Sequence, residues 1–214
     1  MADLDEALAI ADDALAEAHR RGSPLPFGAV KVSRAQTLVW RGELAEAELN
    51  ALEALAAADQ WGLSARFTGH AAAFLGDALM EQGKLEEAAA ALARTEPDQA
   101  VAGTALQLYS AYSSARLRVQ RGDLAGGVGA LLDAGRRYEA VGIRNPALIA
   151  WRSPAALALL LLGERHEAER LAGEELELAR VWGAPGRLAR PSGPQGWSRV
   201  ASGDSRGSAR QSRC

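Results

Sequence analysis

The chain has 214 residues, 48% of them hydrophobic and 24% charged, with a formal net charge of −3, which excludes disorder throughout and suits one domain or a short repeat array. Its 47 Ala and 30 Leu, against 5% aromatic residues, point to helix and away from sheet, where β-branched and aromatic side chains pack best. Residues 1–185 carry −8 and residues 186–214 carry +5, so the body is acidic and offers no basic face for nucleic acid.

The single cysteine, Cys214, excludes an internal disulfide framework and a thiolate metal cluster, and a reducing cytoplasm is the expected compartment. The sequence has no run of 18 apolar residues, and its start, MADLDEALAI, is acidic where a signal peptide is basic. Neither membrane insertion nor secretion is expected.

In chain order, the first run, near 3–20, sets Leu4, Ala7, Leu8, Ala11, Leu15 and Ala18 on one helical stripe with Asp5, Asp12, Asp13 and Glu17 between them. The same spacing predicts helices near 25–41, 43–60, 63–82, 84–94, 99–121, 123–141, 146–162 and 164–182. Pro97 or Asp98 starts the helix after Glu96, and Asn145 with Pro146 supplies a cap and a first-turn proline. Pro154 is expected to kink the following run or to restart it with Ser153 as the cap.

These runs follow a beat of about forty residues. The strings VWRGELAEA, MEQGKLEEA, VQRGDLAGG and LLLGERHEA place glycines at 42, 83, 122 and 163, at intervals of 41, 39 and 41. A second series, Gly22, Gly62, Gly142 and Gly183, closes the alternate runs. Seven residues before each first-series glycine stand Ala35, Gly76, Ala115 and Ala156, and five after it stand Ala47, Ala88, Gly127 and Ala168. Small residues at both offsets let two helices approach closely about a glycine that ends the first of them. The expected architecture is all-α, a right-handed α-solenoid of about four helical hairpins in the tetratricopeptide style, spanning residues 1–185.

The stretch GIRNPALIAWRSPAALALLLLGERHEAERLAGEELELARVWGAP, residues 142–185, closely resembles a segment of the large ATP-dependent LuxR-type bacterial transcriptional regulators related to the MalT type. The resemblance is generic over the preceding repeats. It implies a helical repeat region that senses an inducer or partner and couples this to self-association, in proteins whose ATPase and helix-turn-helix domains lie elsewhere. A phosphate loop requires G-x-x-x-x-G-K-[ST], whereas Gly83-Lys84 has Ala78 and Leu85 at the flanking positions, so ATP binding does not transfer to these residues. No cofactor, direct nucleic-acid contact or membrane contact is expected.

Residues 186–214 hold five Gly, six Ser and six Arg, a composition expected to stay disordered. In the resembling family a further helix with a Leu-Val-Glu step follows the W-G-A-P sequence. Gly196 to Arg199 can be encoded as GC-UGG-UCG-AGG, whose adjacent frame reads Leu-Val-Glu, so the tail is expected to be an out-of-frame reading that starts near Pro185. The helix near 164–182 then lacks its covering unit, and self-association or marginal stability is expected.

No catalytic set stands out. His19, His70 and His166 are far apart, HEAER at 166–170 is not a zinc-binding H-E-x-x-H, and G-x-S-x-G is missing. The acid pairs Glu86-Glu87 and Glu174-Glu175 read as solvated helix faces. Arg144, Asn145, Trp151 and Arg152 form the most distinctive cluster. It reads either as a partner surface carried by Arg144, Trp151 and Arg152, or as a cap (Asn145), a core anchor (Trp151) and arginines tied to the turn. Trp40, Trp61 and Trp182 read as packing residues at helix ends. The expected function is a protein-interaction or sensor region, not an enzyme. A stand-alone tetratricopeptide-like adaptor is the alternative.

Overall fold

The computed structural model describes residues 4–63, 65–95 and 105–182. Among these residues all regular structure is helical: α1 (Leu4–Arg21), α2 (Pro24–Arg41), α3 (Leu44–Trp61), α4 (Ala65–Glu81), α5 (Leu85–Ala93), α6 (Ala105–Gln120), α7 (Leu124–Ala140), α8 (Arg152–Leu161) and α9 (Arg165–Val181). None of these helices is long and apolar enough to cross a membrane. The tail 186–214, its frame-shift reading, Gly183 and the proposed start near Asp98 lie outside the described residues.

The glycines act as the sequence requires. Gly42, at φ 83°, ends α2 and donates its N–H to the carbonyls of Leu38 and Val39, and every described member of both glycine series has positive φ. All eight small-offset residues are buried. Their size matters: a Cβ on Gly76 would lie 2.7 Å from Leu92 of α5, and one on Gly127 would lie 2.4 Å from Val119 of α6. Each glycine turn therefore joins two helices whose backbones meet closely.

Helices consecutive in sequence pack on each other throughout the described residues, and α2, α4, α6 and α8 also pack one on the next in a row. The main core follows that row, with Ala71, Ala72, Phe74, Leu108, Leu131, Trp151, Ala155 and Leu171 among its members. Alanine dominates because helices this close leave little room between them, and each fully buried Leu among them contributes about 1.5–3 kcal/mol. Ion pairs tie successive hairpins at their edges: Lys84–Glu48 at 2.9 Å, Arg94–Asp59 at 2.8 Å and Arg121–Glu86 at 2.8 Å.

The helix expected from residue 146 begins instead at Arg152. Residues 142–151 form a turn in which the Asn145 carboxamide accepts the Ala147 N–H at 2.9 Å. Pro154 then falls in the first turn of α8, where its missing N–H is harmless, and the cap position belongs to Trp151 instead of Ser153. Trp151 holds this turn down. Its ring occupies the dimple left by Gly135 on α7, where a Cβ would approach to 2.3 Å.

Candidate functional site

Helices α2, α4, α6 and α7 and the 142–151 turn line an open cleft of about 420 Å³. Ala29, Val32, Ser33 and Gln36 of α2 form one wall. Phe67, His70 and Phe74 of α4, with Tyr109 of α6, line the next part, and Tyr138 of α7 with Ile143, Leu148 and Ile149 closes the far side. The i, i+3, i+4, i+7 spacing of the α2 and α4 residues is what presents one strip of each helix to the cleft. Gly28 sets how closely the first two walls meet, since a Cβ there would lie 2.6 Å from the Phe67 ring.

Below the cleft lies a buried charged network. Tyr109, whose ring lines the cleft 4.8 Å from that of Phe74, donates its hydroxyl to Asp77 at 2.6 Å. Asp77 is 1% exposed and also accepts from Arg116 at 3.2 Å. Arg116 pairs with Glu81 at 2.5 Å, and its guanidinium stands 5.6 Å from the Tyr112 ring centre. Burial, reinforced by the Asp77 charge, pushes the Tyr109 phenol well above its ordinary range, and burial lifts Tyr112 to about 12. Tyr138 is raised by burial as well, and its hydroxyl, like that of Ser113, is buried without a hydrogen-bond partner.

A second buried acid lies between α8 and α9. Glu175, 1% exposed, accepts the Ser153 backbone N–H at 3.1 Å and the Ser153 hydroxyl, so a residue of α9 caps the first turn of α8. Burial raises its pKa, while the two Ser153 bonds and the nearby Arg152 pull it back. The solvated-face reading therefore fails for Glu175. It stands for Glu174, a half-exposed acid 3.3 Å from Arg152.

Of the residues singled out in sequence, Trp151 and Arg152 come together inside the molecule, with the guanidinium 4.2 Å from the indole and paired to Glu139 and Glu174. Arg144 remains on the surface of the same turn, separate from that pair. Trp61 is half exposed and meets Phe27 edge-on at 5.9 Å, and Trp182 is 54% exposed. His166 is exposed, and no cluster of three His, Cys, Asp or Glu able to hold a metal occurs among the described residues.

Sequence reasoning missed the cleft and both buried acids. A usable signal for the cleft exists: the chain has three Phe and three Tyr, and four of those six side chains line it. The arrangement presents apolar and aromatic surface with a few neutral polar groups, the composition of a binding pocket. Comparison with known proteins finds no matching family model and no matching curated protein.

Proposed function

We propose that the chain is a binding module: a right-handed solenoid of four helical hairpins, preceded by α1, that serves as the protein-interaction and sensor region of an ATP-dependent LuxR-type, MalT-like transcriptional regulator. The observation that carries this proposal is the aromatic cleft lined by α2, α4, α6, α7 and the 142–151 turn. Solenoids of stacked hairpins bind through extended concave surfaces, and a cleft to which three successive helix pairs contribute supports the reading of such a surface. The residues of closest family resemblance support it, because Ile143, Leu148 and Ile149 form the cleft's far side. ATP and DNA contacts fall to other domains of such a regulator, and protein partners or a second copy engage the repeats.

Sequencing the flanking DNA tests the assignment. A nucleotide-binding domain encoded upstream and a helix-turn-helix encoded downstream are expected. If both are missing, the stand-alone adaptor takes its place. Small-angle scattering of the purified chain tests the architecture, with an elongated, curved particle expected and a spherical one refuting the solenoid.

A further inference from the structure

The cleft's lining specifies the chemistry of its occupant. Asp, Glu, Lys and Arg are all missing from the twelve lining residues, and His70 is the one lining side chain able to carry charge, so a charged ligand would give up hydration for little counter-charge. Phe67, Phe74, Tyr109 and Tyr138 offer ring faces and edges, which favour a planar aromatic guest. The volume, about 420 Å³, lies toward the lower end of the range of about 300–1,000 Å³ for small-molecule sites, and a helix about 10 Å across exceeds it. The Tyr138 side chain lines this space while its hydroxyl is buried and unpartnered. That hydroxyl is shut off from the cleft, so Tyr138 offers a guest its ring and not its oxygen.

Resting on the binding-module reading above, we infer that the cleft binds a small, uncharged aromatic molecule, packed against the rings of Phe67, Phe74 and Tyr109.

N-phenyl-1-naphthylamine is a suitable probe: it is uncharged, aromatic, and fluoresces on leaving water. Its sulfonated analogue, 1-anilinonaphthalene-8-sulfonate, keeps the rings and adds a negative charge. Titration of the full chain is expected to show one saturable site for the neutral probe, with the sulfonate at least about tenfold weaker. Ala29→Phe, on the exposed face of α2, should abolish binding while leaving helical circular dichroism and the urea midpoint unchanged. If that variant shifts the midpoint, Ser33→Phe on the same wall replaces it. Lack of saturation, equal affinity for the sulfonate, or binding that survives the blocking variant would each overturn the inference. The flanking-DNA and scattering results do not depend on this titration, so the two readings fail separately.

Discussion

Replacing Asp77 by Ala probes the interaction that locks α4 to α6. Asp77 is essentially inaccessible to water and accepts from both the Tyr109 hydroxyl and the Arg116 guanidinium, itself buried. The truncation strands one hydroxyl, a cost of about 1–3 kcal/mol, and leaves a buried cation with part of its compensation. Removing one partner of a buried pair costs about 3–5 kcal/mol, and Glu81, still bound to Arg116, holds the total within that range. Tyr109→Phe removes a single hydrogen bond and should cost about 1 kcal/mol. Asp77→Asn keeps an acceptor without the charge and should fall between the two. Adding Arg116→Met to Asp77→Ala should recover about 1–2 kcal/mol, because the uncompensated charge is gone. Urea unfolding followed by circular dichroism at 222 nm ranks all four. A loss below about 1 kcal/mol for Asp77→Ala, or a double variant no more stable than the single, would show that Asp77 does not compensate the buried Arg116 charge.

All three tyrosines, Tyr109, Tyr112 and Tyr138, are held above the ordinary phenol range by burial, so stability is fully present below pH 10 and is lost as pH rises toward about 12 and beyond. Absorbance at 295 nm should show no phenolate near pH 10, and a tyrosine that titrates there with helicity intact would contradict the burial. Burial holds Glu175 above the unfolded carboxyl range, so the unfolded chain gives up its proton first and this group's contribution falls as pH rises from about 4.5. Glu175→Gln, which still accepts from Ser153, should gain stability relative to wild type between pH 4 and 7, and a pH-independent difference would count against this. On α7, Gly127→Ala should cost about 1–3 kcal/mol because its Cβ meets Val119, including the backbone nitrogen at 3.0 Å. Two residues on, Gly129→Ala meets nothing within 4 Å and should stabilise by about 0.5–1 kcal/mol. Equal effects in denaturant titrations would undo the assignment of α7's packed and open faces.

The helices and their punctuation are legible in residue order alone, because both arise within a few residues of chain. An apolar stripe needs only its own spacing, and a left-handed turn between helices needs only a glycine, which is why Gly42, Gly83, Gly122 and Gly163 could be placed from their strings. The small residues at fixed offsets were legible for the same reason, and all eight are buried. Tertiary structure alone decided which polar groups go inside. Asp77 and Glu175 look like any helical acid until Arg116, 39 residues on, and Ser153, 22 residues back, are brought against them. It also decided that 142–151 is a turn: the local Asn-Pro signal favours a helix start, but seating Trp151 over Gly135 and burying Ile149 requires the chain to travel further before α8 begins. The cleft belongs to that second category. Its aromatic lining is scattered over some seventy residues of chain, and only the packing of α2, α4, α6 and α7 gathers those rings around one space.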